Sequence, residues 1–205
     1  MAFPTTNATQ ELPAINQILA SCGQAPVSSL DQTNPDVAIA YDTLMEVSRE
    51  VQAEGWSFNT ENHYAFTPDS NDEIVIPNNL LQIDLSDNSA NVSKNAIRRN
   101  GKLYDKENHT DKWTEGAVDC DIVWLFDWVD LPVPIQDYIT SRASTITSTR
   151  IVGDTAQFQM LQQKEAYMRA MAVEYECNQG DYTFFGKPDG VDQYISYKPY
   201  EALYR

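Results

Sequence analysis

Two pairs of carboxylates are the residues best spaced for chemistry. Asp119 and Asp121 alternate within "AVDCDIVW", and Asp127 and Asp130 flank a tryptophan in "FDWVD". Residues i and i+2 of a strand point to one face. Asp119 and Asp121 therefore meet the roughly 5–10 Å separation that glycosidases use for an acid and its nucleophile or base. The spacing is undemanding, because a chain with 30 acidic residues holds such pairs by chance. The competing reading is a solvated strand face. An acid–base pair also needs surroundings that push its two pKa values apart.

The remaining constellations are weaker. His63 and His109 have no second histidine or cysteine at zinc-ligand spacing. "DSNDE" from Asp69 begins like a calcium loop, but Ile74 stands where the sharp turn needs glycine, and no glutamate follows at the twelfth position. "GKPDG" from Gly186 lacks the Ser/Thr and the preceding glycine of a phosphate loop. No nucleophile elbow, dinucleotide fingerprint or HExxH occurs. Cofactors and metals are therefore not expected. Cys22, Cys120 and Cys177 are odd in number and far apart, as reduced thiols of a cytoplasmic synthesis compartment are.

One basic cluster stands out. Lys94, Arg98, Arg99, Lys102, Lys106 and Lys112 place six of the 14 basic residues within 19 positions. They are either anti-aggregation charges on a hairpin edge, or a contact for an acidic partner or for passing DNA. Over the whole chain the net charge is −16. That excludes tight wrapping of nucleic acid, which needs cations to displace phosphate counterions. It suits a protein that stays soluble at high concentration or lets DNA pass without sticking.

The elements that would position these groups follow from periodicity. The 205 residues, 42% of them apolar, suit one domain or one domain with an insertion. No 18-residue apolar run predicts a membrane span, and "MAFPTTNATQELP" has no signal-peptide pattern. Triplets at Asn7, Asn91 and Asn108 resemble glycosylation sites by chance. A first helix is expected from Glu11 to Cys22, capped by Thr9, with Leu12, Ile15, Ile18, Leu19 and Cys22 on one stripe. Asn34-Pro35-Asp36 opens a second helix, which Gly55 ends. "WSFN", "HYAF", "EIVIP" and "LLQID" read as short strands, and Asn100-Gly101 as the turn of a hairpin. "AVDCDIVWLFDW" reads as a longer strand. Helix returns after Pro134 with Ile135, Ile139, Ala143 and Ile146 inward. Asp154 and Gln157 then form a capping box for a last helix to about Cys177, with Phe158, Leu161, Met168, Ala172 and Tyr175 inward.

The expected fold is α+β. Residues 10–55 and 132–178 form a discontinuous four-helix bundle, residues 56–131 a β-rich lobe inserted between its halves, and residues 179–205 an extended C-terminal arm. In "REVQAEGWSFNTE", Trp56 and Phe58 are expected to seat the lobe on the second helix; a ligand platform is the alternative. The arm carries Tyr182, Phe184, Phe185, Tyr194, Tyr197, Tyr200 and Tyr204. Aromatics at that density are foreign to disordered tails and typical of interface anchors.

"AINQILASCGQAPVSSL", "REVQAEGWSFNTE", "RRNGKLYD" and "GDTAQFQ…EAYMRAMAVEYE" together resemble the tail tubular protein A family of short-tailed phages (podoviruses), the adaptor or gatekeeper proteins. The resemblance runs over nearly the whole chain in order, though no single motif is diagnostic. It implies a virion structural protein, made in the host cytoplasm and carried in the tail, with no active site and no cofactor. It implies a head-to-tail connector, a ring of about twelve copies between the portal and the tail nozzle (tail tubular protein B), with a tail fibre as a further candidate partner. DNA would pass through the ring during ejection without tight binding. Arg98, Arg99 and Lys102 then become candidate interface or channel residues, and the seven aromatics a docking arm. Two other classes compete. One is a glycan-degrading tail enzyme on Asp119/Asp121 or Asp127/Asp130. The other is a carbohydrate-binding module on the C-terminal aromatics.

Overall fold

The computed structural model describes residues 8–31, 33–86, 94–114 and 116–180. The aromatic segment 181–205 lies outside them. The fold is α+β, with four helices and two small antiparallel sheets among the described residues.

Helix α1 spans Ala8–Ser21 and α2 spans Pro35–Gln52. The α2 start is as the sequence dictates: the Asn34 side chain accepts from the Asp36 N–H at 3.0 Å, and Pro35 sits in the first turn. Helix α1 differs. It begins three residues early, so Thr9 lies inside it rather than capping it, and Pro13 is interior. Proline there removes one helical hydrogen bond. Complete burial of Ile15 and Ile18, with Leu19 nearly so, holds the helix to the core beyond it.

Helix α3 (Val133–Ile151) is the central one, packed against α1, α2 and α4. It begins one residue before Pro134, which falls in its first turn. Ile135, Ile139 and Ala143 are buried as expected, and Ile146 partly. The other face is also buried, although it is Ser- and Thr-rich: Thr140, Ser141, Ser144, Thr145, Thr147 and Ser148. Their hydroxyls can bond back to the carbonyl one turn earlier, as Thr140 does to Gln136 (2.7 Å) and Ser144 to Thr140 (2.8 Å). Small side chains let neighbouring helices approach closely, although the buried Thr147 hydroxyl has no partner among the described residues.

Helix α4 (Thr155–Gln179) opens at Asp154, whose side chain accepts from the Ala156 N–H. The expected capping box does not close, because Gln157 donates instead to the Ser21 carbonyl of α1. Ala172 alone is fully buried in α4; Leu161, Met168 and Tyr175 are half-buried and Phe158 is exposed. The expected inward stripe holds from Leu161 to Tyr175 but fails at Phe158, because α4 rests chiefly on one helix, α3, which covers only a narrow strip of it.

Strands β1 (Thr60–Phe66), β5 (Val118–Trp124) and β2 (Leu80–Leu85) form one sheet with β5 central, and β3 (Ala96–Arg99) pairs with β4 (Lys102–Asp105) in the expected hairpin. Asn100 and Gly101 both take positive φ, 51° and 74°, as a two-residue turn requires. "WSFN" is not a strand; residues 56–59 turn into β1. "EIVIP" makes only isolated bridges, Glu73 to Lys112 and Val75 to Lys102, while burying Ile74 and Ile76. Burial of alternate side chains needs no continuous ladder, and Pro77 has no N–H to extend one. The long strand stops at Trp124, because the next backbone groups bond elsewhere: Leu125 N–H to the Asn79 carbonyl and Phe126 N–H to the Gln52 side chain.

Two apolar cores result. One joins residues of the four helices with Trp56, Trp128 and Leu131. The other holds Phe66, Ile74, Leu80, Leu103, Trp113, Val118, Cys120 and Ile122.

Candidate functional site

The two carboxylate pairs sit in different surroundings. Alternation on β5 turns Val118, Cys120 and Ile122 into the second core and leaves Asp119 and Asp121 on the outer face, half-buried. Asp121 Oδ1 accepts from the His63 N–H (2.9 Å) and the Ser86 hydroxyl (2.5 Å). His63 has φ 56° where the β1–β5 register slips between Glu61 and Tyr64. Asp121 thus pins a strained bulge rather than facing a substrate. Asp127 and Asp130 are exposed at the two ends of a short 3-10 turn, with the Asp130 N–H donating to the Asp127 carbonyl. Asp69 closes a local turn by accepting from the Glu73 and Asn71 N–H groups, which hold its carboxyl below the usual range. Among the described residues no cluster of three His, Cys, Asp or Glu side chains is placed to hold a metal ion, and no helix is long and apolar enough to cross a membrane. Burial, reinforced by Asp121, Asp119 and Asp84, pushes the Cys120 thiol up to about 12.

The basic cluster is largely bonded within its own surroundings. Arg98, Arg99 and Lys102 do converge on the hairpin turn. Arg98 donates to the Asn78 side chain (2.9 Å) and, at 3.4 Å, to the Leu80 carbonyl. The Arg99 guanidinium stacks 4.1 Å over the Tyr104 ring and is exposed. Lys102 (2.6 Å) and Lys112 (2.9 Å) grip the two oxygens of Glu73. Hydrogen bonds from Lys102 and then Lys112 hold the Glu73 carboxyl below its ordinary value. Lys94 lies over the Trp113 ring. The outward positive surface is therefore smaller than six charges suggest, with Arg99, Lys106 and Lys112 its exposed members.

Trp56 and Phe58 belong to the joint between the two cores. Trp56 is buried in the helical core with its indole N–H on the Val51 carbonyl (2.7 Å), and Phe58 packs 6.3 Å from Phe126. Two buried amides buckle the joint. Gln52 donates to the Ser48 hydroxyl (3.0 Å) and the Phe126 carbonyl (3.1 Å), and accepts from the Phe126 N–H (2.8 Å). Asn59 donates to the carbonyls of Gln52 (2.9 Å) and Trp124 (2.8 Å), and accepts from the Trp56 N–H (2.9 Å). The only trace of this in the sequence is an amide at position 52, one residue past Val51 on the apolar stripe of α2 and just before its glycine stop.

Polar pins hold α4 along its length. Arg169 donates to the Tyr138 hydroxyl (2.7 Å) and to both oxygens of Glu54. Near its end, the Glu176 carboxylate accepts from the Ser57 N–H and hydroxyl (2.8–3.0 Å). These residues build and brace surfaces; they do not converge on a reacting centre.

A family profile described as "Tail tubular protein" matches residues 12–182. The chain belongs to the tail tubular protein family. It is 26% identical over 174 residues to tail tubular protein A of Klebsiella phage KP34, a match covering 83% of this chain and 89% of that protein. As a family member it is a structural component of the virion tail, made in the host cytoplasm, not an enzyme. Tail assembly and oligomerisation come with the family. The seven candidate arm aromatics lie outside the described residues.

Proposed function

We propose that this chain is the adaptor subunit of a podoviral tail: a closed ring of about a dozen copies between the portal and the tail nozzle, forming part of the DNA ejection channel. The observation that carries the proposal is the family match over residues 12–182, which takes in both the helical and the strand-built parts of the chain. We read residues 10–55 and 132–178 as one discontinuous helical unit, residues 56–131 as the inserted lobe, and residues 179–205 as a docking arm. A ring subunit meets its neighbours by head-to-tail contacts that close on themselves. Rigid joints favour that, because a small error in subunit shape accumulates around the circle. The Gln52–Asn59 buckle and the Glu176 clasp supply such rigidity between the two cores.

The charge supports a conduit. Acidic residues outnumber basic ones in both the helical segments and the strand segment, so a DNA duplex meets a repelling wall. The hairpin of Arg98, Arg99 and Lys102 is the candidate exception, a place for transient phosphate contact. Duplex DNA titrated against the assembled protein at increasing salt tests this. Weak, salt-sensitive binding is expected. Sub-micromolar affinity at physiological salt contradicts it.

A further inference from the structure

Helix α4 carries a second apolar line that nothing among the described residues covers. Met160, Tyr167 and Met171 recur at spacings of seven and four, on one side of the helix. They are 73%, 63% and 42% exposed. Lys164 lies between them with its side chain half-buried, so its aliphatic stem extends the line. Large apolar side chains aligned in this way on an otherwise acidic protein mark an interaction surface.

The way the chain leaves α4 points to the occupant. Helices α1, α2 and α3 are each followed by a glycine in the left-handed region, Gly23 at φ 74°, Gly55 at 76° and Gly153 at 70°. Such a residue reverses the chain against the helix it ends. Helix α4 ends differently. Gly180 has φ −74° and ψ −9°, and its N–H donates to the Glu176 carbonyl in helical fashion. The Glu176 carboxylate, clasped by Ser57, fixes this last turn. Gly180 therefore supplies no left-handed reversal of the kind that ends the other three helices. Beyond it, residues 181–205 hold Tyr182, Phe184, Phe185, Tyr194, Tyr197, Tyr200 and Tyr204. Twenty-five extended residues reach roughly 80 Å, about twice the roughly 37 Å length of α4. That leaves more chain than is needed to run the length of such a helix.

We infer that the Met160–Tyr167–Met171 face of α4 is the socket for residues 181–205 of an adjacent copy of this chain. The inference rests on the ring reading and gives it a specific contact. Exchange of terminal segments from each copy to the next is head-to-tail by construction, so it closes with the ring.

The test uses the full chain with Tyr167 replaced by a photo-crosslinking phenylalanine, a substitution that its exposure tolerates. Isotopically heavy and light copies are mixed, assembled alone or on portal-bearing heads, and checked for rings by native mass spectrometry before irradiation. Heavy–light crosslinks between position 167 and peptides within 181–205 are expected. Phe184→Ala with Phe185→Ala should lower their yield about tenfold, the scale of one interface anchor. Rings whose crosslinks fall within a single copy, or reach any other surface, overturn the inference and leave the ring reading standing. A chain that stays monomeric with its portal overturns both.

Discussion

Replacing Gln52 by alanine should destabilise the whole chain, although Gln52 touches no ligand and no exposed surface. The side chain is 0% exposed and makes three hydrogen bonds, two of them to the backbone of Phe126 on the other side of the joint. A net hydrogen bond contributes about 1 kcal/mol, and a buried group left without its partner costs about 1–3. Gln52→Ala orphans the Phe126 N–H and, in part, its carbonyl. It also leaves a cavity of four heavy atoms beside the Phe126 backbone. The expected loss is about 3–4 kcal/mol. For a chain of this size that is about 6–16 °C in Tm. The assay is urea and thermal unfolding of the purified subunit followed by circular dichroism and tryptophan fluorescence. Ser48→Ala removes one of the three bonds and should cost no more than about 1 kcal/mol. Gln52→Ala combined with Asn59→Ala should lose less than the sum of the two, because the amides share one network. A Gln52→Ala loss below about 0.5 kcal/mol would refute the claim that these amides hold the two cores together.

Three further outcomes follow from the same geometry. Iodoacetamide at pH 8 should label exposed Cys177 well before Cys120, which is buried and has its thiol pushed up to about 12; mass spectrometry of early digests showing Cys120 labelled first contradicts this. Burial of Asp105 opposes its charge, but hydrogen bonds from the Asn108 side chain and from the Glu107, Asn95 and Asn108 N–H groups outweigh it and hold its pKa below the ordinary value. Its contribution is therefore complete above the unfolded carboxylate pKa and lost as pH falls through the folded value, below pH ~4; Asp105→Asn should flatten that limb of the stability–pH curve, and an unchanged limb counts against it. Arg99→Ala should shift stability by no more than about 1 kcal/mol, since it loses only a surface stack on Tyr104, while weakening what DNA affinity the assembled protein has; unchanged salt-dependent binding removes the hairpin from the channel reading.

Much of the architecture was legible because apolar periodicity and caps act locally. Asn34-Pro35-Asp36 set the start of α2, Asn100-Gly101 the hairpin, and Asp154 the start of α4. The errors arise where tertiary contacts override local signals. The serines and threonines of α3 give no apolar signal, yet they are buried, with Thr140 and Ser144 bonded back to their own helix. Gln157 has the sequence position of a capping partner, and the carbonyl of Ser21 on another helix claims it. "WSFN" has the alternation of a strand, yet Asn59 folds it into the joint. The candidate residues divide similarly. The hairpin cations were correctly grouped, but no local pattern shows that Glu73 neutralises two lysines. The exposed line on α4 was hidden because methionine and tyrosine at helical spacing read equally well as core.

The central claim, that this chain closes into a tail adaptor ring, is tested most directly by electron microscopy of the purified full chain with its cognate portal. Closed rings of about a dozen copies, coaxial with the portal and open at the centre to a width that admits duplex DNA, are the predicted result. A chain that remains monomeric in the presence of the portal, or that polymerises into open filaments, contradicts the account.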